Sequence, residues 1–323
     1  MDSARNLYLA VDLGGTKVAV SLWMDSDETI PRQLGESTSW STFQDGPGRN
    51  IDSIVEAAAE LRGQHAQGVR LTAIGISGGG PLNPVTGEIL SVPNLPGWVH
   101  VPITRILSDR LGAPARIEND ANACAAAEWL HGAGRGAKHM AFLTCSTGIG
   151  AGLVLEGRLH RGARFLAGEV GHQVIVPNGL PCGCGKQGCL EAYASGSGIS
   201  TRLKPFREKN SRLPGTAKEL VEAARRGDDF SIEFLRETAE FLAMGLANLV
   251  FILDLDRLVL GTIPTAAGEL FFAPLREALL RRLWPEFRQG IDLRPSALWP
   301  RLGDYAALAV ARDLPPLLRD VAP

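Results

Sequence analysis

No stretch of the 323 residues approaches the run of about 18 apolar residues that crosses a bilayer, so the sequence predicts no membrane span. A signal peptide is not expected either, because Asp12 interrupts the apolar run near the amino terminus before an h-region forms. Long basic runs are also missing. The 33 Lys and Arg stand against 35 Asp and Glu, for a net charge of −2, and no cluster would neutralise a nucleic-acid backbone. Neither nucleic acid nor membrane is an expected partner. Cysteine is scarce, with five residues in all, and in the reducing cytoplasm expected for this chain an odd set of thiols argues against a disulfide framework. No short-period repeat is present, which excludes a solenoid.

What is there is ordinary globular material, 45% hydrophobic and 21% charged. The length exceeds what one core usually supports, so two domains with a cleft between them are expected. Two units of strand, glycine turn and strand open the two halves. NLYLAVDLGGTKVAVSLW reads as a hairpin around Asp12 to Thr16, and MAFLTCSTGIGAGLVLEGRL as another whose turn runs from Thr144 to Gly150. Their likeness suggests duplication of a whole domain. Between them lie a helix from about Asn50 to Arg62 and strands in LTAIGIS and GEILSVPN. APARIEND then reads as a strand feeding a helix, ANACAAAEWLHG, capped by Asn119 or Asp120 and ended by Gly132 or Gly134. Further on come a capping box from Thr216 to Glu219, a helix from about Asp229 to Leu253, and a strand in DRLVLGT. A helix near Leu270 to Leu283 and a closing helix in LGDYAALAVARDL complete the chain. The alternation predicts an α/β fold with mixed sheets. Residues 1–118 with about 303–323 are expected to form the smaller domain and 119–302 the larger.

The turn at Asp12 has neither P-loop nor dinucleotide-fingerprint spacing. Its adjacent glycines, Gly14 and Gly15, still let backbone amides approach phosphate oxygens, with the Thr16 hydroxyl beside them. Asp12 is a candidate to hold a hydrated magnesium ion; an ordinary tight turn would leave it incidental. The second turn, STGIGAG, makes the pair a clamp for nucleotide phosphates. In IENDANA, Asn119 and Asp120 sit where a strand meets a helix. One side chain can cap the helix while the other, Asp120, serves as a general base in phosphoryl transfer to an alcohol. Cys182, Cys184 and Cys189 with His172 supply the four ligands of a structural zinc site, and Gly183, Gly185 and Gly188 permit its tight turns. Glu169, His172 and Glu191 surround that knuckle with groups that suit sugar hydroxyls, on a loop the metal would hold rigid. Asn94, in a segment stiffened by Pro93 and Pro96, is a further hydroxyl reader or a simple turn residue. Trp98 reads as packing, and Cys124 and Cys145 as small buried hydrophobes.

Together DLGGTK, GISGGGPLNPVTGEIL, PNLPGW, ENDANA, STGIGAG, and GEVGH followed by CGCGKQGCLE resemble the ROK family of sugar kinases and sugar-responsive repressors, over nearly the whole chain. The resemblance implies a two-domain actin-like ATPase fold, of the ribonuclease H-like kind, with mixed sheets and an interdomain cleft. It implies that Asp120 is the catalytic base and that Gly80, Asn94, Asn119, Asp120, Glu169, His172 and Glu191 bind sugar. Asp12, Gly14, Gly15, Thr16, Lys17, Thr147, Gly148, Gly150 and Gly261 would hold ATP and Mg2+. Zinc would sit on His172, Cys182, Cys184 and Cys189, one nitrogen of His172 binding metal while the other faces a sugar hydroxyl. Homodimers or homotetramers are also implied. The expected activity is phosphorylation of glucose to glucose 6-phosphate, with fructose, mannose and N-acetylhexosamines as alternatives. A non-catalytic sugar sensor is the competing class, but only eleven residues precede Asp12, too few for the helix-turn-helix of the family's repressors. The sequence departs from the family where Thr262 follows Gly261 in place of a second glycine, where Pro81 replaces an arginine of some N-acetylmannosamine kinases, and where the closing helix lacks a Gly-Ala pair.

Overall fold

The computed structural model describes residues 6–28, 30–92 and 95–314. The chain begins with strands β1 (Leu7–Leu13), β2 (Lys17–Met24) and β3 (Arg32–Ser41), then helix α1 (Pro47–His65) and β4 (Ala73–Gly78). Short strands β5 (Leu82–Asn83), β6 (Glu88–Ser91) and β7 (Val99–Val101) form a separate three-stranded sheet. Helix α2 (Ile103–Leu111), strand β8 (Ala115–Asn119) and helix α3 (Asp120–His131) follow. Next come β9 (Met140–Cys145), β10 (Ile149–Leu155) and β11 (Arg158–His160), then helices α4 (Glu191–Ala194), α5 (Gly196–Lys209), α6 (Ala217–Arg225) and α7 (Asp229–Leu253). Strand β12 (Arg257–Thr262), helices α8 (Ile263–Ala267), α9 (Glu269–Arg282) and α10 (Pro285–Gly290), strand β13 (Asp292–Pro295) and helix α11 (Leu302–Arg312) complete it.

The chain divides into two compact units, one of residues 1–127, 162–166 and 301–323, the other of residues 128–161 and 167–300. In the first, strand order is β3-β2-β1-β4-β8; β1 pairs antiparallel with β2 and parallel with β4, which pairs parallel with β8. In the second, order is β11-β10-β9-β12-β13, with the same alternation of senses. One topology is thus used twice, as the paired glycine hairpins suggest.

Strand β1 is apolar on both faces, and that follows from what covers it. Leu7, Leu9, Val11 and Leu13 join a core with Ile51, Ile54, Ala58 and Leu61, spaced three and four along α1. Tyr8 and Ala10 face the other way, toward Ala307, Leu308 and Ala311 of α11. The closing helix lies directly on the sheet: a Cβ on Gly75 in β4 would lie 2.1 Å from the Ala307 carbonyl oxygen. Trp98 is 1% exposed and belongs to the first unit's core, as its packing role predicts. In the second unit α7 carries a stripe including Phe234, Leu235, Leu242, Leu246 and Val250 onto β9, β12 and α9 residues. Asp228 starts that helix, its carboxylate accepting the Ser231 amide at 2.8 Å. The capping box at α6 is altered: Thr216 Oγ1 accepts the Glu219 amide, but Glu219 reaches back to the amide of Gly215 and not that of Thr216. Cys145 is buried at 1% exposure, as expected, whereas Cys124 is only partly covered.

Candidate functional site

In the first unit β1, β4 and β8 run parallel, and their carboxyl ends bring the expected residues together, with Asp12 opposite Ser77 and Gly78 opposite both Leu13 and Asn119. The glycine turn after β1 has its carbonyls tied back. Thr42 donates its amide to the Thr16 oxygen at 3.1 Å and its hydroxyl to the Gly14 oxygen at 2.7 Å, while Gln44 donates to the Gly15 oxygen at 3.1 Å. The Gly14 amide closes on the Lys17 oxygen at 2.9 Å. Among the described residues the amides of Gly15 and Thr16 meet no protein acceptor, so two successive donors remain for an anion. Lys17 is exposed at the start of β2.

Asp12 is half-buried beside that turn. Burial first, then the charges of Asp120 and Asp304, push its carboxyl up to about 7, against the opposing pull of Lys17. Gly303 of α11 leaves room for it: a Cβ there would fall 2.3 Å from Asp12 Oδ2. Asp304 itself accepts the Ser37 hydroxyl at 3.1 Å.

Asn119 and Asp120 divide their labour. Asn119 Oδ1 accepts the amides of Ala121 at 3.1 Å and Asn122 at 3.3 Å and so caps α3. Its amide nitrogen faces Gly80, where a Cβ would approach to 3.2 Å. Asp120 is exposed, with Oδ1 accepting the Ala121 amide at 2.8 Å. Behind them Glu118, 2% exposed, accepts the Asn119 amide and the Asn122 side chain, each at 3.1 Å, and locks the junction. Asn94 lies outside the described residues.

In the second unit the turn between β9 and β10 is gripped from three directions. Cys145 donates its amide to Thr262 Oγ1 at 3.0 Å. Gly196 donates to the Ser146 oxygen at 2.6 Å, and the Ser197 amide and hydroxyl donate to the Thr147 oxygen at 3.1 and 2.8 Å. Ile149 donates to Glu191 Oε2 at 2.9 Å, and that oxygen fills the side-chain space at Gly148, where a Cβ would be 2.5 Å away. The amides of Thr147 and Gly148 meet no acceptor among the described residues, repeating the pattern of Gly15 and Thr16. Gly150 and Gly261 pair with Thr144 from opposite sides.

The donor atoms of His172, Cys182, Cys184 and Cys189 all lie within 4.8 Å of one another. His172 Nδ1 is 3.7 Å from Cys182 Sγ, and Cys184 Sγ is 3.7 Å from Cys189 Sγ. With Zn–S near 2.3 Å and Zn–N near 2.0 Å, a tetrahedron has edges of about 3.5–3.8 Å; the two 3.7 Å separations match these, and three thiols with one imidazole are a donor set suited to zinc. Left to themselves the thiols titrate apart. Burial, then the Cys184 and Cys182 side chains, push Cys189 up to about 12, and burial raises Cys182. The Lys186 amide holds Cys184 below the usual thiol range. A divalent cation is what would let three thiolates coexist there. Nδ1 of His172 faces the thiols while Nε2 lies 3.9 Å from Glu169 Oε2, so metal on Nδ1 would leave the proton on Nε2, toward the carboxylate. Glu191 sits 3.8 Å from Cys182 Sγ through Oε1 while its other oxygen holds the glycine turn, a bridging position that its expected sugar role does not reveal.

The ROK family profile matches residues 8–310. The chain belongs to the ROK family. A relative, the glucokinase of Thermotoga maritima, is 33% identical over 94% of this chain and 97% of its own. Among solved structures, the ROK hexokinase of Thermus thermophilus superposes with a TM-score of 0.78 at 36% identity, covering 94% of this chain and 97% of that one. A Streptomyces griseus ROK glucokinase, solved with glucose and AMPPNP, gives a TM-score of 0.78 at 31% identity over 95% and 99% of the two chains. The expected α/β actin-like architecture is the fold of this ROK protein. No helix among its described residues is long and apolar enough to cross a membrane.

Several residues that build these sites escape the sequence reading. Thr42, Gln44 and Asp304 escape it because their partners are far along the chain, whereas Glu118 stands inside the ENDANA motif and bonds to its near neighbours Asn119 and Asn122, a local signal that could have found it. The SGSG run at Ser195–Gly198, opening a helix just after Glu191, was a signal that could have located the grip on the second turn.

Proposed function

We propose that this ROK protein transfers the γ-phosphate of ATP to a hexose, glucose first, giving glucose 6-phosphate. The observation that carries the reading is the whole-length likeness to glucokinases in a chain that keeps Asp120 exposed at the head of α3. The amides of Gly15, Thr16, Thr147 and Gly148, which meet no acceptor among the described residues, are suited to phosphate oxygens. Asp120 orients the attacking hydroxyl and accepts its proton as the new O–P bond forms and the bond from Pγ to the ADP oxygen breaks. Asn94, Asn119, Glu169, His172 and Glu191 would read the remaining hydroxyls; Asn119 has only its amide nitrogen for this, since its oxygen caps the helix.

Magnesium, when bound with the nucleotide, neutralises charge on the phosphate oxygens. Asp12 is the residue to hold its water shell, and the convergence of Asp12, Asp120 and Asp304 is an excess of negative charge that such a cation relieves. Zinc on His172, Cys182, Cys184 and Cys189 would supply rigidity to the segment that bears Glu169 and Glu191. A homodimer or homotetramer in the cytoplasm accompanies this reading, and light scattering after gel filtration tests the assembly.

The deciding experiment is a coupled ADP-release assay across glucose, fructose, mannose, N-acetylglucosamine and N-acetylmannosamine. Glucose should give the highest kcat/KM. A zinc-replete, monodisperse preparation that turns over none of them would overturn the proposal.

A further inference from the structure

Thr262 has φ 56° and ψ −115°, a region of the backbone map that suits glycine and crowds a Cβ. Of the six non-glycine residues with positive φ among those described, it is the only β-branched one. Such strain persists only where something else holds it, and here the hydroxyl does so. Thr262 lies opposite Cys145 in the parallel pairing of β12 with β9, and its Oγ1 accepts the Cys145 amide at 3.0 Å. Cys145 is 1% exposed, so that oxygen serves a donor shielded from water, and losing it would carry a cost. One residue later the chain enters the turn whose Thr147 and Gly148 amides meet no acceptor among the described residues. A glycine at position 262 would relax the backbone and lose this tether.

We propose that Thr262 is a positioning residue for the nucleotide: its hydroxyl, kept in place against backbone strain, fixes the entry to the second glycine turn and so sets affinity for the phosphates. This rests on the kinase reading above. Its contact is with the turn, not with the sugar-reading residues, which gives the effect a direction.

The test measures ADP and glucose affinity separately by calorimetry, with melting temperature and with KM for ATP against kcat, in wild type, T262S, T262V and T262G. T262S keeps the hydroxyl and should bind ADP within about twofold of wild type. T262V keeps the branched shape without an acceptor and should weaken ADP about three- to tenfold, the scale of one hydrogen bond, raising KM for ATP while glucose affinity holds. T262G removes both strain and acceptor, folds even if T262V does not, and should show the same loss. Unchanged ADP affinity in T262G or in folded T262V overturns the assignment, as does an equal fall in glucose affinity. If wild type binds no ADP, the kinase reading fails and this inference with it; if wild type binds and the variants match it, only the role of Thr262 fails.

Discussion

Asp12 shows how a single residue's chemistry and its stability pull apart. A free aspartate titrates near 3.9, whereas this one is pushed up to about 7 by burial and by Asp120 and Asp304. Between those values the folded state holds a proton that the unfolded chain has released. The contribution of this group to stability is therefore greatest below about pH 4, falls as pH rises, and is fully lost just above pH 7. Asp12→Asn fixes the neutral form. In the absence of magnesium and nucleotide it should raise stability by about 1–3 kcal/mol at pH 8, after discounting for partial solvent access, and by almost nothing near pH 4. Thermal melts across that range check the slope, and the same variant should lose turnover if Asp12 holds magnesium as proposed. Asp120 makes the opposite case, since it is exposed and its helix is already capped by Asn119. Asp120→Asn should lower kcat by about 10²–10⁴ while leaving glucose affinity within a few-fold. A variant with normal turnover would remove Asp120 from the mechanism, and one that no longer melts cooperatively would assign it to the fold.

At the level of elements, what could be read from sequence is what depends on neighbours in the chain. The two hairpins were legible because a glycine turn and its flanking strands are contiguous, and β9 with β10 pairs as the pattern implies. The candidate metal knuckle was legible for the same reason, three of its four possible ligands falling within eight residues. The extent of α7, from Asp229 to Leu253, follows its apolar period. What remained hidden rests on partners far away in sequence. Strand β3 is polar and half-exposed, so only its ladder to β2 reveals it. Glu191 looks like a free carboxylate until the Ile149 amide and the Cys182 thiol are placed beside it. Gly75 is another such case, unremarkable in sequence, yet required because α11 lies directly on β4, with the Ala307 oxygen and Ala311 amide 2.1 and 2.3 Å from where a Cβ would stand. Both obstacles are backbone, so neither can rotate away. Gly75→Ala should force α11 off the strand and cost about 1–3 kcal/mol, read as a lower urea midpoint at unchanged slope. An unaltered midpoint would mean that the helix has slack the packing does not show.

Across the whole molecule the same five-stranded topology carries two different kinds of support. The first unit has Leu9, Ile54, Ile74 and Ile76 fully buried in its core, and no metal-ligating cluster falls among its described residues. The second adds the knuckle to a comparable core, and tethers it inward: Leu190 donates its amide to the Gln173 oxygen, while Cys189, wholly buried, precedes the helix that starts at Glu191. Loss of metal would leave three thiols in a segment otherwise held by turns and two isolated bridges, Val174 with Cys189 and Pro181 with Gln187, and including a Gly188 whose left-handed φ and contact with the Val176 oxygen admit no side chain. Chelation should therefore act on one unit and spare the other. With a zinc chelator, or in Cys184→Ser, hydrogen exchange should accelerate from Val174 to Glu191 and along the β9–β10 turn that Glu191 holds, while amides of β1 and β4 keep their protection. Glucose affinity should fall in step with zinc content, since Glu169, His172 and Glu191 lose their common frame. Exchange that quickens equally in β1 would mean that the metal stabilises the chain as a whole, and exchange that quickens nowhere would mean that the four ligands hold their geometry without it.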